Sequence, residues 1–478
     1  MNPNLNAERH FHWLYALGFT IGLVLTFLYA QNQILTGDQT QMLHKGYLGA
    51  YQGTWLNYGN AASAVGNVPG SLSAWLIGVP LLVWDSPWSP MVLLIALRIV
   101  SLVLLDNVIK TMMPENNSAL MRLIFLALYW LNPWFLYDSL LYNPSYLCLF
   151  AAMHLWSASK MRNHKSFGYT FVHVLSIGLA MQLHYSWPIL AVISCYLFYR
   201  QMGQISWVGA VSAIAVLLLS LVPYFQEYAV NDDIKRESDR YIGYGIVHVY
   251  PVLKAVLYWL RYGSMLFSNK VIAYGEFDWL TQIEWIKLSA LSLWKALVFV
   301  VGAITVVVSA KFNWTWWKRV KPICLRGKGE LDNQQWIELY VFGAIVGVLI
   351  SASLSPITFS YWHLIMVYPF AILPILIGIR SIIANEESER NQADASRQTT
   401  SKFSRFVQRY SVTTTLATWF TVRDKQLTLL KLSLGYLLVL NLLASHDSIK
   451  YSFEADYVQQ TEQYLLEQNL VKLHLEPQ

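Results

Sequence analysis

The sequence predicts an all-α polytopic membrane protein. Hydrophobic residues make up 55% of the 478 positions and charged residues 13%, with a mean hydropathy of +0.37. A soluble globular chain is roughly 25% charged. Apolar runs close to the length of a membrane crossing recur along the whole chain. The 20 Trp and 29 Tyr suit long membrane–water interfaces, where amphipathic rings sit well. The formal net charge of +6 is small for this length, and no basic stripe with interleaved aromatics occurs, so nucleic acid is not an expected partner. Cys148, Cys195 and Cys324 are scattered and give neither a disulfide framework nor a metal-ligand spacing.

Taken in order, the apolar runs are Trp13–Ala30, Met91–Lys110, Ala119–Asp138, Leu140–Ser157, Gly168–Leu183, Trp187–Arg200, Ile205–Tyr224, Trp285–Ala310, Trp336–Leu354, Trp362–Ile383 and Leu427–Ala444. They predict about eleven transmembrane helices. No small-residue cleavage site follows the first run, so it is expected to remain as a span. Leu72–Trp84 is apolar but only half a span long, and reads as a re-entrant or tilted half-helix backing the first outer loop. Basic residues cluster at Lys160–Lys165, Lys311–Lys328 and Arg380–Lys425. Placing these on the cytoplasmic side puts the N-terminus there as well. Gln31–Ser71, Phe225–Glu284, Ser355–Tyr361 and the acidic tail then lie outside.

The domain reading follows. Residues 1–224 form a transmembrane module with a first outer loop at 31–71, and 225–284 form a second large outer loop. Residues 285–444 hold the remaining helices and a cytoplasmic linker at 384–426, and 445–478 form an outer tail. Asn385–Thr400 is a polar linker. Ser401–Phe420 has the pattern of a helix on the inner membrane surface, and Phe453–Leu475 that of an amphipathic helix outside.

The first outer loop is polar, long and rich in Gly, Asn, Tyr and Trp. Asp38 stands at its start, before a short amphipathic helix predicted at Gln39–Tyr51, and His44 and Lys45 follow. A carboxylate at a membrane boundary facing a polar loop is a candidate general base. The alternative is that Asp38 only N-caps the helix. Four further groups fall at the same face. Ser139-Leu-Leu-Tyr-Asn143-Pro144-Ser145 joins two spans, with Pro144 suited to a first helical turn and Asn143 to its cap. An Asn there can also bond a sugar hydroxyl or phosphate oxygen. Gln182-Leu-His184-Tyr185 forms the next outer turn, and Tyr361-Trp-His363 opens a later span. His184 and His363 are each ligand-facing or structurally paired, and Tyr361 is otherwise a membrane-belt aromatic.

In the second outer loop, Asp232-Asp233 has no His or third carboxylate at a ligand spacing. Together with Arg236 and Arg240 it reads as a solvated helix face, and no metal is expected. Arg261 is flanked by aromatic and apolar residues and needs an anionic partner, either an internal carboxylate or a phosphate. One carboxylate, two histidines, an Asn and an isolated Arg at one membrane face make a composition suited to a phosphorylated, membrane-embedded donor.

These motifs resemble GT-C glycosyltransferases, the broad family of protein O-mannosyltransferases and lipid A aminoarabinose transferases, and more closely their bacterial relatives of unassigned substrate. The resemblance covers Trp13–Tyr224 and, weakly, Pro356–Ile377. It rests on Asp38, Pro69-Gly70, the Ser139/Asn143-Pro144-Ser145 turn, the Gln182/His184-Tyr185 turn, and Tyr361/His363 before Tyr368-Pro369. It implies a GT-C-like bundle in the bacterial inner membrane and an inverting transfer of sugar from a polyprenyl-phosphate donor to a lipid, glycan or protein acceptor, with no cofactor. Asp38 would activate the acceptor. Arg261, His363 and His184 would meet the donor phosphate, Asn143 and Tyr361 would line the donor site, and His44, Arg236 and Arg240 would face the acceptor or loop. The chain departs from that pattern at Val68, where relatives often carry Lys or His before the proline, and at Gln39, where they often carry a second acid. An O-antigen polymerase or ligase would place several Arg in the outer loop, which Arg236, Arg240 and Arg261 leave open. A transporter or flippase would show mid-span charges and repeat symmetry; Arg98 is the clearest such charge and no repeat is found, which argues against it.

Overall fold

The computed structural model describes residues 3–61, 66–113, 118–231, 249–264, 282–325, 330–355, 360–384, 435, 450–452 and 454–470. Among them, six helices are long and apolar enough to cross a membrane: Phe11–Gln31, Trp88–Met112, Trp207–Val230, Glu284–Leu325, Asn333–Ser353 and Tyr361–Ala384. Shorter apolar helices occupy Leu72–Val83, Ser118–Tyr129, Phe167–Met181 and Pro188–Tyr199. The expected span Leu427–Ala444 falls outside the described residues apart from Gly435, as do the linker at 385–400 and the surface helix expected at Ser401–Phe420.

In chain order, α1 (Pro3–Gln31) leads into α2 (Gly37–Gln52). The α2 helix starts at Thr36, whose N–H donates to the Gln39 side chain at 3.2 Å, and stops at Gly53, whose φ of +71° ends it in a left-handed turn. A short antiparallel ribbon follows, β1 (Tyr58–Ala61) against β2 (Asn67–Pro69). The period-2 signal needed to read so short a ribbon from sequence is absent. Next, α3 (Leu72–Val83) lies directly against α2, so the short apolar segment does back the loop. The contact is close because position 46 is Gly: a Cβ there would lie 2.3 Å from the Ile77 Cβ.

After α4 (Trp88–Met112), the run expected as one span at Ala119–Asp138 is two helices, α5 (Ser118–Tyr129) and α6 (Pro133–Tyr137). The physical cause is Asn132-Pro133. A residue before proline is pushed out of the helical region, and Asn132 has ψ 134°. Its side chain accepts the Trp134 N–H at 3.0 Å and restarts the chain, with Pro133 in the first turn. A 3₁₀ turn at Asn143–Tyr146 then enters α7 (Leu147–Met161), followed by α8 (Phe167–Met181), α9 (Pro188–Tyr199) and α10 (Trp207–Val230).

Beyond these lie α11 (Val249–Tyr262), α12 (Glu284–Leu325) and α13 (Asn333–Ser353). The basic stretch beginning at Lys311, expected as a loop, is helical to Leu325: no Gly or Pro interrupts it before Pro322. At 1.5 Å per residue, α12 is about 63 Å long, roughly twice the hydrocarbon thickness. The last long helix, α14 (Tyr361–Ala384), contains a 3₁₀ step at Ile365–Val367. Finally, α15 (Tyr457–Glu467) is capped by Asp456, which accepts the Val458 N–H at 2.9 Å; it is the helix expected in the tail.

Aromatic side chains fill the centre. Trp130, Trp134, Tyr129, Tyr137, Tyr262, Tyr340 and Tyr368 are each under 2% exposed. The chain turns back at one end of the bundle to place α2, the ribbon, the 138–146 turn, the 182–187 turn and the start of α14 together.

Candidate active site

At that end Asp38 stands in the first turn of α2 and is not its cap, a place that Thr36 takes. A carboxylate in a first turn is favoured by the helix dipole. Asp38 is exposed at the residue level. Protein crowding on its inner side nevertheless pushes its pKa up, against the pull of the Lys450 cation, which lowers it.

A chain of contacts leads from Asp38 to the other predicted residues. The Asp38 carbonyl accepts the Asn60 side-chain amide at 2.9 Å, and the same amide lies 3.5 Å from the Asn143 Oδ1. Asn143 does not cap a helix, since Tyr142 holds the position before the 3₁₀ turn. Its Nδ2 instead donates to the Leu183 carbonyl at 2.7 Å, which ties the Asn-Pro turn to the Gln182/His184 turn. Pro69-Gly70 meets that turn too. Gly70 has φ +94°, and a Cβ on it would lie 2.5 Å from the Gln182 Oε1. His184 then faces His363, with ring centroids 5.7 Å apart. His184 Nδ1 bonds the Ser186 hydroxyl at 2.9 Å, and His363 Nδ1 accepts the Ser360 N–H at 2.8 Å. Both histidines therefore have structural partners on one nitrogen. Burial, then the His363 ring, push the His184 imidazole down, so it is neutral at pH 7.

Tyr361 packs on Trp134 at 5.6 Å, and the Trp134 indole donates to the Arg261 carbonyl at 2.8 Å. The Arg261 guanidinium lies over the same indole at 5.2 Å and over Tyr258 at 5.4 Å. His44 stands apart from this line and pairs with Tyr464 of α15 at 3.2 Å. Arg236, Arg240 and the Asp232-Asp233 pair lie outside the described residues.

Three charged residues not assigned to the site from sequence join it. Asp138 is fully buried: its Oδ1 accepts the Tyr142 hydroxyl at 2.5 Å, while its Oδ2 has no hydrogen-bond partner among the described residues. Arg98, mid-way along α4, donates to the carbonyls of Phe135 and, at 3.0 Å, Asp138, and its guanidinium lies 3.7 Å over the Phe135 ring. That mid-span charge is thus met by carbonyls of α6 and its C-cap, while the Arg98 Nε has no hydrogen-bond partner among the described residues. Lys450 arrives from the tail and donates to the Tyr361 hydroxyl. A signal for Asp138 was present, a carboxylate ending an apolar run beside an Asn-Pro turn. No local signal marks Lys450. Among the described residues, no group of three His, Cys, Asp or Glu side chains is placed to hold a metal ion.

Chemically, the ensemble offers an accessible carboxylate able to take a proton, a neutral imidazole, amides able to bond hydroxyls, and two cations set among aromatic faces. Against solved structures, the chain resembles ArnT from Cupriavidus metallidurans in the apo state, with a TM-score of 0.50 and 11% identity over 90% of this chain and 76% of that one. The fold is of the GT-C kind. A second structure of ArnT from the same organism, bound to undecaprenyl phosphate, gives a TM-score of 0.49 and 10% identity over 91% of this chain and 76% of that one. No protein-family model matches the chain, and no curated protein matches it.

Proposed function

We propose that the protein is a glycosyltransferase of the bacterial inner membrane. It takes a hexosyl or pentosyl group from a polyprenyl-phosphate donor and gives it to an envelope or periplasmic acceptor, with the site and the tail on the periplasmic side. The observation carrying this reading is convergence. Asp38, Asn143, His184, Arg261, Tyr361 and His363 come from five separate elements and are linked through Asn60, Leu183 and Trp134 at one end of the bundle. The likeness of fold to apo ArnT supports a transferase built on the same kind of bundle.

In this mechanism Asp38 takes the proton of the acceptor hydroxyl or amine as that atom attacks the anomeric carbon. The bond between that carbon and the phosphate oxygen breaks, and its electron pair leaves on polyprenyl phosphate. Attack opposite the leaving group inverts the anomeric centre. Arg261 offsets the phosphate charge, and Asn143, Tyr361 and the histidines orient the sugar.

The test is Asp38→Asn in purified, lipid-reconstituted protein supplied with a single-sugar polyprenyl phosphate. Transfer should fall by about 10²–10⁴-fold, the usual worth of a general base, with melting temperature unchanged. Near-normal turnover would reject Asp38 as the base. Transfer only from a lipid-linked oligosaccharide would favour a polymerase or ligase instead.

A further inference from the structure

The segment after residue 449 runs as a strap across the site. Its backbone pairs with the stretch just before α2: the Ile34 N–H donates to the Lys450 carbonyl at 2.8 Å, and the Ser452 N–H to the Asn32 carbonyl at 3.1 Å. Tyr451 is fully buried, packs edge-on against Tyr29 and Tyr137 at 4.7 and 5.1 Å, and donates to the Tyr137 carbonyl at 2.5 Å. Helix α15 holds the strap down. Gln460 accepts the Leu35 N–H at 3.0 Å and donates to the Gln33 carbonyl at 3.1 Å, and the Tyr457 hydroxyl donates to the Pro87 carbonyl at 2.9 Å.

This backbone register aims one side chain inward. The Lys450 ammonium lies 4.9 Å from the Tyr361 ring and 5.3 Å from each of the Tyr137, Tyr142 and Trp362 rings. Aromatic faces hold a cation by their quadrupoles and leave its charge in place. The cation acts electrostatically on both carboxylates of the site, Asp38 and Asp138. Two other cations at this end are directed onto backbone carbonyls, Lys45 onto Gly59 and Arg98 onto Phe135 and Asp138. Lys450 donates to the Tyr361 hydroxyl, and it and Arg261 flank the Trp134–Tyr361 pair.

We propose that Lys450 is a donor-binding residue of this site, the strap-borne cation that meets the donor's phosphate together with Arg261. The tail is then a working part of the site. An ammonium suits this role as a compact point charge that a phosphate oxygen can approach from several directions. The proposal rests on the glycosyltransferase reading and names a further residue for its anion.

The experiment uses the full-length protein in nanodiscs, with farnesyl phosphate as the probe, farnesol as its uncharged control, and Lys450→Gln and Lys450→Arg as variants. Wild type should prefer the phosphate over the alcohol, with an affinity that falls as salt rises. Lys450→Gln should weaken phosphate binding about ten- to a hundredfold, the worth of a charge-assisted hydrogen bond. It should also flatten the salt dependence and leave farnesol binding as it was. Lys450→Arg should recover most of the affinity. Wild-type phosphate affinity and salt slope in Lys450→Gln would overturn the role of Lys450 and leave the transferase reading standing. A wild type that does not distinguish phosphate from alcohol would overturn both. Equal loss of phosphate and farnesol binding, with no recovery in Lys450→Arg, would return Lys450 to a purely structural role.

Discussion

Asp38 is held between two opposing influences, crowding by protein that raises its pKa and the Lys450 cation that lowers it. In the proposed mechanism the ionised carboxylate is the base, so transfer should rise with pH through the Asp38 pKa, and the acid limb should lie above the ordinary Asp value of about 3.9. Lys450→Gln removes the lowering influence, so its limb should move to higher pH. Rate profiles of the two proteins check this, and a limb displaced to lower pH would reject the coupling. At this scale the sequence was informative where function shares a motif with local structure. Asn143 precedes a proline and His184 lies in the turn after α8, so both are visible as turn residues. Lys450 was not legible, because its place depends on pairing with Asn32–Ile34 and on four rings drawn from distant segments.

Between elements, two glycines set the distances that bring the site together. Gly46 lets α3 rest on α2, and Gly70 lets the Pro-Gly turn touch Gln182. Gly70→Ala combines a strained positive φ with a contact to that side chain, and should cost about 1–3 kcal/mol of stability. Adding Gln182→Ala removes the atoms that the new Cβ meets, so the pair should recover part of the loss, in contrast to two independent changes whose costs add. Thermal unfolding of the single and double variants in detergent measures both, and simple additivity would dismiss the contact as the cause. The long spans were readable because apolar length is a strong signal. The break at Asn132-Pro133 was written in the sequence but was outweighed by the hydropathy around it. The extension of α12 past Ala310 is not legible from charge, because Lys and Arg are good helix formers as well as loop residues.

Across the whole molecule, the two ends of the bundle differ in chemistry. The end opposite α2 holds Arg122 bonded to Asp106, Arg319 bonded to Glu338 at 3.0 Å, and Arg200 on the last carbonyls of α12. That basic end is expected to face the cytoplasm. In a cysteine-free background, a cysteine at Thr54 should react with an impermeant thiol reagent added to intact spheroplasts, and one at Asn163 only after lysis. The reverse pattern would invert the proposed topology and put the site on the wrong side for an envelope acceptor.

The pairing of the strap with the stretch before α2 also has a consequence for biosynthesis. Leu35 bonds a residue 425 positions later, so the loop bearing Asp38 leaves the ribosome long before its cover does. A chain halted anywhere between them can insert its early helices, but it emerges without the segment that pairs with Asn32–Ile34. Catalytic competence would then come only after translation has passed Gln460, and a premature stop upstream would yield an inserted but idle protein.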